Sequence, residues 1–304
     1  MDGKLIECVP NFSEGRDRGK VEAIVQAITS AAGVHLLGWE CDRDHNRGVV
    51  TFAGPPAAVV EGAFRGVRKA VELIDIRSHH GVHPRIGAAD VVPLVPIEGI
   101  TLAECAELAH SLGSRIATEL GVPIYFYEAA ALRSERRNLE NIRRGGWEAL
   151  REAAAADPSR APDAGGPQLH PTAGASAVGA RKFLLAFNVN LDTGDIGVAR
   201  RIARKIRASS GGLPHVKAMG VFLESRGQAQ VSMNLTDFEV TPLHTVFEAV
   251  RSEAEAAGVA IAGSEIIGLM PAEALAQAAA HFLRCENYRP GRILEKRLLS
   301  NLVD

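Results

Sequence analysis

Twice along this chain the same succession of signals recurs: strand, helix, strand, strand, helix, strand. In the first pass "LIECVPNF" (5–12) is a short apolar run that ends at Pro-Asn, as a strand leaving a core would. "KVEAIVQAITSAAG" (20–33) has helical spacing and a glycine where a helix would stop. "VHLLGWECD" (34–42) and "GVVTFAGP" (48–55) are strand-rich runs joined by the polar turn "RDHNR". "PAAVVEGAFRGVRKAVELID" (56–75) is a second amphipathic helix opened by proline, and "DVVPLVP" (90–96) is the next strand. A third helix over 102–120, a strand "VPIYFYE" and a charged helix near 138–155 extend this pass.

The second pass begins at "KFLLAFNVNL" (182–191) and continues through a helix, "DIGVARRIARKIRASSGG", that stops at glycine. A hairpin around Arg226-Gly227 joins "VKAMGVFLES" to "QAQVSMNLTD"; a helix, "PLHTVFEAVRSEAEAAG", and a strand, "VAIAGSEIIGLMP", complete it. Between the passes lies "AAAADPSRAPDAGGPQLHPTAGAS", rich in Ala, Pro, Gly and Ser and without apolar periodicity, which reads as a linker. The pattern predicts an α/β (α+β) chain of two ferredoxin-like βαββαβ subdomains, 1–178 (linker at about 156–178) and 179–304. A cleft between two such units is the expected ligand site.

Composition narrows the function classes. At 304 residues and 46% apolar, the chain can bury cores of this size. A formal charge of -2 supplies no basic field for nucleic acid or an anionic membrane. The N-terminal segment has no long apolar core, and no apolar run reaches ~18 residues, so neither a signal peptide nor a membrane span is expected. Cys8, Cys41, Cys105 and Cys285 are far apart and form no CxxC, which predicts reduced thiols in a cytoplasmic protein.

The densest chemistry sits in "RSHHGVHPRIGAADVVPLVP" (77–96), with His79, His80 and His83 within five residues. A zinc site of the HExxH kind needs a helix and a glutamate; Gly81 and Pro84 break any helix here, and the glutamate is missing. No metal is expected. His83 directly precedes a proline, so its backbone is held extended, and a rigid imidazole near neutral pKa suits proton transfer. Arg85, two residues on, would project to the same side of an extended segment and suits carboxylates. His79 and His80 read as solvated or loop-supporting residues.

Other polar positions have two readings each. "ECDRDHNRGVV" (40–50) is either a solvated hairpin tip or a place where Asn46 and Arg47 face a ligand. Asn188 and Asn190 share one face of a strand, where asparagine is disfavoured; that face meets either water or a polar heterocycle, with Asn234 adding an amide. "RRGGWEALRE" and "RRIARKIR" read as solvated helix faces, and "GARKF" (Arg181, Lys182) as a basic strand entry. GxGxxG, GxxxxGK[ST] and GxSxG are absent, which argues against a nucleotide loop or an acyl-enzyme hydrolase.

"LIECVPNFSEG", "DHNRGVVTFAGPP", the run from His79 to Pro96, "GARKFLLAFNVNL", "QVSMNLTDFEVTPLH" and "GSEIIGLMP" occur in this order over residues 5 to about 285. Together they resemble the glutamate formiminotransferase family, the transferase half of formiminotransferase-cyclodeaminase. The resemblance implies transfer of the formimino group of N-formimino-L-glutamate to N5 of tetrahydrofolate in histidine degradation and one-carbon metabolism. It also implies two α/β subdomains, a homodimer, tetrahydrofolate as co-substrate, no metal, and His83 as the catalytic histidine. The family's folate-contacting loop matches Gly165, Gly166, Pro167, Gln168, Leu169, His170, Pro171, Thr172, Ala173 and Gly174.

This chemistry needs a proton taken from N5 and given to the departing glutamate nitrogen, which one histidine can do by shuttling. Arg47, Arg85, Arg181 and Lys182 are candidates for the carboxylates of substrate and folate. Glu40 or Asp90 could stabilise charge on the amidine nitrogens. The rival functions are N-formylglutamate:tetrahydrofolate formyl transfer, non-catalytic folate binding, and a metal-dependent amidohydrolase.

Overall fold

The computed structural model describes residues 3–43, 46–81, 84–224 and 226–303. They divide into two compact units that meet in sequence at Arg181 and Lys182. In chain order the first unit runs β1 (Leu5–Cys8), β2 (Asn11–Phe12), α1 (Arg18–Thr29), β3 (His35–Asp42), β4 (Arg47–Gly54), α2 (Pro56–Leu73), β5 (Ala89–Glu98), α3 (Leu102–Leu120), β6 (Ile124–Glu128), α4 (Leu139–Ile142), α5 (Gly146–Ala156) and β7 (Ser176–Ala180).

β1 and β2 are two pieces of one strand position: each pairs antiparallel with β4 on one side and β5 on the other. Pro10 separates them because it has no N–H for the ladder, although its carbonyl still accepts from Val50 N–H at 3.1 Å. The spatial order is β3, β4, β1/β2, β5, β7, β6, with β5, β7 and β6 parallel to one another. Side chains alternate across these strands. Val92, Leu94, Phe126 and Val178 face a large core with α1, α2 and α3. Val91, Tyr125, Tyr127 and Ala177 face a smaller core with Ile142 and Leu150 from α4 and α5. Burial on both faces is why this part of the sheet reads as continuous apolar sequence.

The second unit runs β8 (Leu185–Leu191), α6 (Ile196–Ile206), β9 (Val216–Leu223), β10 (Gln228–Leu235), α7 (Leu243–Ala256), β11 (Ile261–Ile267), α8 (Ala272–Phe282) and α9 (Leu294–Val303). Its four strands are antiparallel in the order β9, β10, β8, β11. In both units the order across the sheet is therefore second, third, first, fourth strand of a βαββαβ chain, the arrangement of a split βαβ fold. Leu185, Phe187, Val189 and Leu191 of β8 pack under α6 and α7. α8 docks on α7 through Ala274 and Ala278 and through a stacked His244–His281 pair with ring centroids 4.3 Å apart.

Three segments differ from the sequence pattern. α1 stops at Thr29, short of Gly33, whose left-handed φ of +86° belongs to the turn that follows. The charged helix near 138–155 is two helices, because Gly145 and Gly146 both have positive φ (+80° and +68°) and break it. The Ala/Gly/Ser stretch at 156–178 ends in a buried strand, β7, inserted between β5 and β6. Small side chains let it fit a central position, and they also hide it from a periodicity reading.

Candidate functional site

The loops at one end of the first unit's sheet converge on a β-bulge. β2 pairs Asn11 with Val91 and Phe12 with Ala89, so Asp90 is an extra residue on β5 with no partner across the ladder. Such bulges re-aim side chains. The Asp90 carboxylate, fully buried, accepts from Ile86 N–H at 2.9 Å through Oδ1. Its Oδ2 accepts from Arg47 Nη1 at 2.8 Å and from Arg143 Nη2. Burial alone would raise this carboxyl, but Arg143, Arg47 and the Ile86 N–H hold it below the usual carboxylate range. Asp90 is thus a buried anchor between two guanidiniums rather than a group facing a substrate amidine. Glu40, the other acidic candidate, is exposed on the edge strand β3.

Asn46 ties three loops together from a buried, left-handed position (φ +49°). Its Oδ1 accepts from Gly15 N–H at 2.9 Å, and its Nδ2 donates to His80 O at 3.1 Å. Its own carbonyl accepts from His79 Nε2 at 2.7 Å. A carbonyl only accepts, so Nε2 carries the proton and the neutral ring leaves Nδ1 bare; that atom is buried and makes no hydrogen bond among the described residues. Burial holds the His79 imidazolium's pKa below its ordinary value. His79 is therefore interior, while His80 is exposed.

Arg85 is mostly buried, and its guanidinium is engaged by Glu148 of α5 (Nη2 to Oε1, 2.8 Å) and by His79 O (2.9 Å). Arg47 also donates through Nε to Asn11 Oδ1 at 2.9 Å. Both arginines thus stitch the loops. His83 itself lies outside the described residues. The positions on either side of it are held: His79 and His80 through Asn46, and Arg85 and Ile86 through Glu148 and Asp90.

The stretch Gly165 to Gly174 runs against this same loop. Ile76 N–H donates to Thr172 O at 2.8 Å, Ala88 N–H to Ala173 O at 2.9 Å, and Ala175 N–H to Ile86 O at 3.0 Å. The approach demands glycine: a Cβ on Gly87 would lie 2.0 Å from Ala175 O. His170 Nδ1 accepts from Thr172 and Ala173 N–H (3.3 and 3.0 Å), fixing the turn. Gly165, Gly166, Pro167 and Gln168 form an exposed tip; Leu169 is partly buried, Pro171 exposed, and Gly174 has a positive φ (+69°).

Asn188 and Asn190 lie in the second unit, on the sheet face opposite its helices. Gln230 Nε2 donates to Asn190 Oδ1 (2.7 Å), Asn190 Nδ2 to Glu265 Oε1 (3.2 Å), and Arg226 Nη1 to the same carboxylate (2.5 Å). Asn234 is exposed at the end of β10. Lys182 pairs with Asp237 and Glu239, each at 2.8 Å. Arg181 donates its backbone N–H to Leu94 O, and its charge acts on the buried Glu7, whose carboxyl burial pushes up.

Sequence reasoning missed Arg143, Trp147 and Glu148, taking "RRGGWEALRE" for a solvated face. Arg143 and Glu148 instead pair with Asp90 and Arg85, and Trp147 is buried. The available signal was the double glycine, which turns the chain sharply ahead of a tryptophan.

Comparison with known proteins accounts for nearly the whole chain. Residues 5–181 match the N-terminal subdomain of the formiminotransferase domain, and residues 186–299 match the formiminotransferase domain. The glutamate formimidoyltransferase of Streptococcus pyogenes serotype M1 is 47% identical over 97% of this chain and 99% of its own length. That of Thermoplasma acidophilum is 45% identical over 97% of both chains. The formimidoyltransferase-cyclodeaminase of Sus scrofa is 45% identical over 93% of this chain but only 53% of its own length. The chain belongs to the formiminotransferase family.

Proposed function

We propose that the protein transfers the formimino group of N-formimino-L-glutamate to N5 of tetrahydrofolate, releasing glutamate and 5-formiminotetrahydrofolate. The observation that carries this reading is end-to-end similarity, at 47% and 45% identity, to two proteins named glutamate formimidoyltransferase. The loop geometry supports it: rigid flanks on both sides of His83 suit a group whose position must serve two proton transfers.

In this reading N5 attacks the amidine carbon, and His83 takes the N5 proton as the tetrahedral adduct forms. The carbon–nitrogen bond to glutamate then breaks while the same imidazole returns the proton to the leaving nitrogen. Atoms and charge balance with no oxidant and no covalent enzyme intermediate. The exposed tip at 165–168 is the element of the first unit proposed to meet the folate, and Asn188 and Asn190 are proposed to meet its heterocycle. The proposal includes a cytoplasmic homodimer of two subdomains, 1–178 and 179–304.

The test is glutamate release by the purified protein, given N-formimino-L-glutamate with and without tetrahydrofolate, beside His83→Ala. Folate-dependent release that drops by about 10²–10⁴-fold in the variant, with folate binding retained, is the expected result. Folate-independent release would mean a hydrolase. Turnover only with N-formylglutamate would replace the donor, and folate binding indifferent to His83 without turnover would leave a binding protein.

A further inference from the structure

The bonds around Asn46 do more than decorate a turn. Three segments far apart in sequence meet on one residue: Gly15 after β2, Asn46 before β4, and His79 with His80 ahead of His83. The residue at the junction holds a left-handed backbone (φ +49°), which asparagine tolerates better than most side chains. A Cβ on Gly15 would lie 2.2 Å from Asp42 O and 2.4 Å from Arg47 N, so that loop is pressed against the same turn.

One ring closes the junction. The His79 imidazole is 6% exposed, and its Nε2–H is committed to Asn46 O. Charged groups reach it from each packed segment: Arg85 on its own loop, Glu14 and Arg16 after β2, and Glu148 on α5. A second ring proton would sit on the buried Nδ1, which has no acceptor among the described residues. The geometry therefore favours a neutral ring acting as a donor, not one that exchanges protons with a substrate.

We propose that His79 and Asn46 are positioning residues for His83: the neutral imidazole locks the left-handed Asn46 turn, which holds the three loops in register. This inference rests on the transferase reading above. Displacing a catalytic group by as little as about 1 Å can lower turnover by about 10²-fold, so a loosened latch should act on kcat, not on substrate affinity.

Two variants test it. His79→Leu fills the volume without a donor; His79→Gln offers an amide N–H near the position of Nε2 and has no ring to protonate. The expected result for His79→Leu is a kcat lowered about 10–100-fold, KM for tetrahydrofolate within about 3-fold, and faster deuterium exchange at Gly15. His79→Gln should recover most of kcat and the Gly15 protection. Unchanged kcat and exchange in His79→Leu would overturn the latch. So would a folded His79→Gln as inactive as His79→Leu, which would make the ring a reacting group, or a risen KM at constant kcat, which would make it a substrate contact. If the wild-type protein releases no glutamate with folate, the transferase reading fails by itself. Exchange at Gly15 in the two variants would still decide the latch.

Discussion

The two sheets share one strand order and treat their second face in opposite ways. In the first unit α4 and α5 cover part of that face, and a buried ion cluster of Asp90, Arg47 and Arg143 closes its end. In the second unit the face opposite α6 and α7 carries Asn188, Asn190, Gln230, Ser232 and Glu265, and side-chain hydrogen bonds link Asn190, Gln230 and Glu265. The same backbone topology thus supports a rigid loop scaffold in one case and a polar face, with Asn190 and Gln230 buried, in the other. Topology sets where loops and faces lie; the choice of side chains decides what each can do.

The contrast breaks most sharply at Asp90. Its carboxylate is fully buried and shared by two arginines. Asp90→Ala removes the carboxylate those guanidiniums share and leaves Ile86 N–H without the acceptor it has in Asp90 Oδ1. Removing one partner of a buried ion pair costs about 3–5 kcal/mol. Urea denaturation should show that loss, and glutamate release should fall with it. A loss below about 1 kcal/mol would mean that water reaches the cluster and that the first unit is no more rigid than the second.

Gly87→Ala is the next largest effect. The new Cβ would meet Ala175 O at 2.0 Å and Ala173 O at 2.6 Å, all backbone, so the loop before β7 has to move. Overpacking of this kind costs about 1–3 kcal/mol. Denaturation midpoints and turnover should both drop.

Acid should act on both units, through different groups. Burial lowers the pKa of His79 and His170 in the first unit; in the second, burial and then the neighbouring His281 lower that of His244. The unfolded chain binds these protons more readily, so the stabilisation is complete above about pH 6.5 and declines as pH falls through the folded values. His79→Gln and His244→Gln should therefore gain on the wild type between pH 8 and pH 5.5 in denaturation experiments. A difference that does not change with pH would remove that histidine from the acid response. Asp90, with its carboxyl held low, adds a separate loss that begins below about pH 4.

How much of this was legible follows from the range of each interaction. The βαββαβ order could be read because periods of two and 3.6 are local, and β8 with its alternating asparagines showed which of its faces is polar. The strand at Ser176–Ala180 escaped because "SAVGA" has almost no apolar bulk, and its place between β5 and β6 is set by neighbours distant in sequence. Arg143 and Glu148 escaped for a related reason. A charge on a helix reads as solvated unless its partner is known, and theirs are Asp90 and Arg85, 53 and 63 residues away. Asn46 was visible as a candidate, but its left-handed backbone and its three loop contacts were not.

The smallest expected effect tests the polar face itself. Gly263 on β11 sits opposite Asn190, beside a register shift, and a Cβ there meets nothing within 4 Å. Its φ is not positive, so alanine fits without strain. Gly263→Ala should stabilise by about 0.5 kcal/mol, because alanine loses less chain entropy on folding than glycine. That is opposite in sign to Gly87→Ala, and the midpoint of a urea curve reads it. The kinetics then separate two uses of the surface. If the asparagine face receives the folate ring, a methyl beside Asn190 should raise KM for tetrahydrofolate several-fold while the fold gains stability. An unchanged KM would take the β11 edge out of the substrate site and leave the amide network a structural one.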